Sequence, residues 1–243
     1  MALKSLQYNH KTFNISYEIL NPTASHDIVF LHGWGSNKEL MKSSFKDELK
    51  AFRHIYIDLP GFGNSTCNNV MTTHCYAQVI DTFLEEINVS KEIILGHSFG
   101  GKVALLLQPK LLVLVASAGI QLPKSVKIKA KIILTKIFNL FGLSKFRKHL
   151  VADDAKSLSE NMYKTFKNVV NEDFSFEFSS FSNKALLFWG TTDSATPIKC
   201  ATKMSELLKN STLKTYEGDH YFFMKYHHDI AQEIENSIIK RSL

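Results

Sequence analysis

Short apolar runs, each followed by a stretch with helical spacing, recur along this chain and restrict its fold more than any other feature. Asp27–Leu31 leads into Asn37–Phe52, Ile55–Asp58 into Tyr76–Ile87, Glu92–Leu95 into Val103–Leu107, and Lys184–Trp189 into Ile198–Lys209. Runs of four to six apolar residues without alternation suit parallel strands covered by helices on both faces. Thr12–Ile19 alternates like an early strand, Leu111–Val115 and Leu213–Tyr216 add two more, and Ile230–Ile239 is the last helix. The expectation is an α/β protein with a mostly parallel sheet of about eight strands. The 243 residues suffice for one large domain of this kind or two small ones.

One stretch breaks the rhythm. Residues 121–172 look helical and contain no convincing strand. The expected organisation is a core formed by 1–120 and 173–243, with 121–172 inserted over the crevice where such sheets bind ligands. The insertion is also where the net charge of +6 originates: residues 121–170 hold eleven lysines and arginines against three acids. Val126–Phe141 mixes lysine with isoleucine, leucine and phenylalanine, as basic amphipathic helices do. The three cysteines, Cys67, Cys75 and Cys200, are too few and too scattered for a disulfide framework or a zinc cluster, so no metal is expected. Met1–His10 lacks the apolar core of a signal peptide, and no run of about 18 apolar residues is present. A cytoplasmic protein with no membrane span and no nucleic-acid partner is expected.

Residues 95–103, LGHSFGGKV, allow two parses. Gly96 to Lys102 spells the start of a phosphate loop, but Val103 stands where a magnesium-binding Ser or Thr would be needed. Lys102 is therefore expected to be a solvated residue of the first helical turn. Gly96 to Gly100 spells G-x-S-x-G, the sharp strand-to-helix turn that aims a serine. A serine needs a base, and the base an orienting acid. Asp193 follows the apolar run 186–189, and His220 follows 213–216, both at expected strand ends. Asp58 also ends a strand, but Pro60-Gly61 makes turn formation its better explanation. His97 adjoins Ser98, points away from it and reads as packing. The oxyanion donors are expected from the Phe99 N–H and, across the glycine-rich loop 32–36, the Trp34 N–H. Phe138, Phe141, Tyr221 and Phe222, with Phe99 and Phe223, are candidates for an apolar substrate pocket.

With HGWGS (32–36), DLPGFGNS (58–65), GHSFGG (96–101), WGTTD (189–193) and GDH (218–220), the chain resembles the α/β-hydrolase superfamily over nearly its whole length. The resemblance implies a catalytic Ser98, Asp193 and His220, no cofactor, and a helical lid at 121–172. Within the superfamily it looks like the pimeloyl-carrier-protein methyl ester esterase and carboxylesterase group. It is less similar to the C–C hydrolases of meta-cleavage pathways, whose elbow has Asn before the serine where this chain has His97. The expected activity is ester cleavage of a small acyl ester through an acyl-enzyme. The alternatives are C–C hydrolysis and a ligand receptor on a hydrolase fold. The basic insertion is expected to dock an acidic partner such as an acyl carrier protein, through Lys127, Lys131, Arg147 and Lys148.

Overall fold

The apolar runs become the strands of one sheet. The computed structural model describes residues 1–122 and 159–239. Eight strands, β1 (Ala2–Tyr8), β2 (Lys11–Leu20), β3 (His26–Leu31), β4 (Phe52–Ile57), β5 (Ile93–His97), β6 (Leu111–Val115), β7 (Lys184–Gly190) and β8 (Ser211–Tyr216), form a sheet of order β1-β2-β4-β3-β5-β6-β7-β8. The β1–β2 and β2–β4 pairings are antiparallel, and all the others are parallel. The helices are α1 (Lys38–Phe45), α2 (Thr73–Glu86), α3 (Phe99–Leu106), α4 (Glu160–Val169), α5 (Ser175–Ser180), α6 (Ile198–Leu207) and α7 (Phe223–Ile239).

Successive residues of a strand face opposite sides, so each unbroken apolar run feeds two cores. Ile28, Phe30, Leu95, Val113 and Phe188 pack with Met41 and Phe45 of α1 and Ile230 and Ile234 of α7. Val29, Leu31, Ile94, Leu114 and Leu187 pack on the other face with α2, α3 and α6. Phe30 stacks between Tyr56 and Phe45, with ring centroids at 4.5 and 5.5 Å.

Two expectations are corrected here. The helical spacing over Asn37–Phe52 is not one helix: α1 stops at Phe45, Leu49 turns with φ +47°, and Phe52 opens β4. Phe45, Leu49 and Phe52 recur at helical intervals because all three reach the same core, not because one helix carries them. The second correction is β1, absent from the sequence reading. Asn9 and His10 both adopt positive φ (48° and 60°), the two-residue turn whose twist suits an antiparallel hairpin, and Ala2–Tyr8 pairs with β2 across it.

Of the inserted segment, α4 and its flanks are described. Asn161 Nδ2 donates to the Asn68 carbonyl, Thr165 Oγ1 accepts from the Met71 N–H, and Asn168 Nδ2 donates to the Met71 carbonyl. These bonds tie α4 to the loop before α2, with the Phe166 ring 5.4 Å from that of Trp34.

Candidate active site

The chain turns sharply where β5 passes into α3. Ser98 adopts φ 51°, ψ −115°, a costly conformation for a residue with a Cβ, held by its surroundings. Its N–H donates to the Val115 carbonyl, and its carbonyl accepts from Gly101 and Ala118. The glycines follow from space: a Cβ on Gly100 would lie 2.5 Å from the Leu31 carbonyl oxygen. Ser98, at the C-terminal end of the central strand β5, lines a cavity of about 380 Å³.

Asp193 and His220 meet at the ends of β7 and β8. Asp193 Oδ2 lies 2.7 Å from His220 Nδ1. Its other oxygen accepts from the Ala195 and Thr196 N–H groups at 2.8 and 2.9 Å, and the Thr196 hydroxyl lies 2.8 Å from Oδ2. Burial raises the Asp193 carboxyl, but the His220 and Thr196 bonds outweigh it and hold the group below the usual carboxylate range. The ionised carboxylate therefore places the ring proton on Nδ1 and leaves Nε2 as the basic nitrogen. Among the described residues neither His220 Nε2 nor the Ser98 hydroxyl has a hydrogen-bond partner.

The loop after β3 faces the serine. A Cβ on Gly33 would sit 3.0 Å from His97 Nδ1 and 3.1 Å from Ser98 Cβ, so glycine eases this loop's close approach to the serine. Buried His32 braces it: Nδ1 lies 2.7 Å from the Gly33 carbonyl, and Nε2 accepts from the Leu59 N–H at 3.0 Å. Among the described residues the Trp34 and Phe99 backbone N–H groups have no protein acceptor. Both residues line the cavity with Ser98.

The other expected residues divide. His97 is buried, as packing requires, but it also bonds: its Nε2 lies 3.2 Å from the His220 carbonyl, and the two rings are 4.7 Å apart. Burial and the neighbouring His220 ring push its pKa down to about 3. Phe222 and Phe223 do not line the cavity. They belong to the core on the opposite face of the sheet, where Phe222 stacks on Tyr216 at 5.4 Å. Tyr221 also lies outside the cavity wall, about half-exposed, its ring against His97 and His220. Phe138, Phe141, Lys127, Lys131, Arg147 and Lys148 lie outside the described residues.

Lys102 contradicts its expected solvated place. It is 2% exposed, with its ammonium donating to the Val169 carbonyl at 2.6 Å and to Glu172 Oε2 at 2.9 Å. α3 runs beneath the returning end of the insertion, so its first turn is covered rather than wet. Asp58 does shape a turn, accepting from the Asn64 N–H, yet it is also one half of a buried ion pair with Lys38, 2.8 Å away. The partners of Lys102 and Asp58 lie 70 and 20 residues away in the chain, so no local pattern marks either one.

A serine at a strained turn after a parallel strand, a carboxylate–imidazole pair after β7 and β8 and two N–H groups without an acceptor among the described residues are the parts that a nucleophile-elbow site requires. The chain belongs to the alpha/beta hydrolase family, whose model matches residues 28–232. It is 31% identical over 157 residues to "Putative esterase/lipase 2" of Mycoplasma pneumoniae, covering 60% of this chain and 57% of that protein. It is 35% identical over 82 residues to a pimeloyl-[acyl-carrier protein] methyl ester esterase of Vibrio atlanticus, covering 32% of this chain and 29% of the other. The matches thus span less than two thirds of either relative. An esterase from Exiguobacterium antarcticum shares the fold, with a TM-score of 0.73 at 20% identity over 93% of this chain and 96% of that one. Among the described residues no helix is long and apolar enough to cross a membrane.

Proposed function

We propose that the chain is a serine hydrolase that cleaves a carboxylic ester through an acyl-enzyme. The observation that carries this reading is the 2.7 Å Asp193–His220 bond, whose Thr196 neighbour lines the same cavity as a serine held at positive φ. In the proposed reaction the Ser98 hydroxyl meets His220 Nε2, gives up its proton and attacks the acyl carbon. The Trp34 and Phe99 N–H groups receive the oxyanion, each worth about 3 kcal/mol in the transition state. His220 returns the proton to the leaving alcohol, then activates the water that releases the acid. Asp193 holds the ring in the required tautomer. Residues 121–172 act as the lid, of which α4 supplies part of the cavity wall through Phe166 and Val169.

The basic character of 121–170 supports docking of an acidic acyl carrier at the lid, through Lys127, Lys131, Arg147 and Lys148. One experiment tests the chemistry. A fluorophosphonate probe should label Ser98, and Ser98→Ala should abolish labelling and lower kcat for p-nitrophenyl esters by about 10³ or more. Full activity in Ser98→Ala would refute the mechanism.

A further inference from the structure

The cavity wall holds a buried cation that the proposed reaction does not use. Lys102 sits four residues after Ser98 on α3, one turn further along the same helix face. It lines the cavity together with Glu172, among the apolar groups Trp34, Phe99, Ile120, Leu122 and Phe166. Its ammonium lies 5.5 Å from the centre of the Phe99 ring and 5.0 Å from that of Phe174. Burial lowers its pKa, while the Glu172 carboxylate opposes that shift. Glu172 in turn accepts from the Thr73 N–H and the Thr73 hydroxyl.

An ammonium has three donors, and among the described residues that of Lys102 has two acceptors, the Val169 carbonyl and Glu172. Lys102 and Glu172 both line a cavity whose other walls are largely apolar. A charge placed there is costly unless something matches it. The pair is neutral as a whole, so a carboxylate entering the cavity would meet Glu172 as well as Lys102. A hydroxyl suits both, accepting from Lys102 and donating to Glu172.

We infer that Lys102 and Glu172 form a specificity subsite for a hydroxyl group on one arm of the substrate, one helical turn from the scissile bond. The inference rests on the esterase reading and narrows its substrate class to hydroxylated esters. The hydroxyl can sit on the acyl chain or on the alcohol, and two substrate pairs separate these. Ethyl 6-hydroxyhexanoate against ethyl hexanoate tests the acyl arm, and glyceryl hexanoate against propyl hexanoate tests the alcohol arm. The hydroxylated member of one pair should have a kcat/KM at least about tenfold higher, because a site built for a hydroxyl discriminates against an arm that lacks it. Lys102→Met should bring that ratio to near one. Should Lys102→Met fail to fold, Lys102→Met/Glu172→Gln removes both charges and should give the same result. Binding of 1,6-hexanediol against 1-hexanol to the wild-type protein, by calorimetry, separates this inference from the reaction. Preference for the diol without ester turnover sinks the esterase reading and keeps the subsite. Equal binding with no preference in either ester pair overturns the subsite. So does a preference that survives both variants, which leaves Lys102 a structural tie, or a stronger response to ethyl hydrogen adipate, which makes the site an anion site.

Discussion

At the scale of single residues, the site depends on which groups stay charged and which stay neutral. The proposed role of the ionised Asp193, holding the His220 tautomer, predicts that Asp193→Asn lowers kcat by roughly 10³ or more. Burial keeps His32 and His97 neutral, lowering their pKa to about 4 and about 3. Between those values and the usual 6.5 the unfolded chain binds more protons than the folded one, so stability falls as pH falls. The slope is about 1.4 kcal/mol per pH unit for each histidine. Asp193, Asp58 and Asp27, all with lowered carboxyl pKa, add their loss only below the usual 3.8. Calorimetric Tm should therefore drop steadily from pH 6.5 towards 4, and His97→Gln should make that drop shallower. An unchanged slope in His97→Gln would show that His97 is not a source of the acid sensitivity.

At the scale of elements, two junctions carry the geometry. The β5–α3 elbow requires glycine at 100 because the obstacle is backbone, the Leu31 carbonyl, which cannot rotate away. Gly100→Ala should cost about 1–3 kcal/mol of stability, read as a lowered denaturant midpoint, and should displace Ser98 enough to reduce turnover. The second junction joins β4 to α1. Asp58 accepts from the Lys38 N–H and ammonium and from the Asn64 N–H, and Lys38 also donates to Ser16 Oγ at 3.1 Å. Asp58→Asn leaves the buried Lys38 ammonium, among the described residues, only the exposed Glu39 carboxylate, 3.6 Å away, as a counter-charge and should destabilise by about 3–5 kcal/mol. Lys38→Met/Asp58→Asn should recover part of that loss, since neither charge then remains buried.

At the scale of the whole molecule, the described part of the insertion, α4, packs against the loop before α2 and against Trp34 beside the cavity. The proposed carrier docking is a long-range electrostatic effect, so it should weaken as salt rises past about 0.15 M. Reversing charge at Lys127, Lys131, Arg147 and Lys148 together should lower kcat/KM for a carrier-bound ester at least about tenfold, a loss of roughly 1.4 kcal/mol, and leave a small uncharged ester nearly unaffected. Equal losses for both substrates would reduce the lid to a cover.

Legible in the sequence alone were most of the alternation of strands and helices and the candidate site residues Ser98, Asp193 and His220 at their turns. Each of these is a local matter, a run of apolar residues or a turn whose glycines sit within a few positions of the group they serve. The Asn9-His10 hairpin was local too, yet it lacks the glycine that usually marks such a turn. Tertiary structure decided the rest. Phe222 looked like a pocket residue beside His220, but the chain past β8 turns it into the opposite core. Lys102 reads as a surface lysine until Val169 and Glu172 close over it. Burial, and the partners that make a buried charge tolerable, come from elements far apart in the chain, and no spacing rule within α3 encodes them.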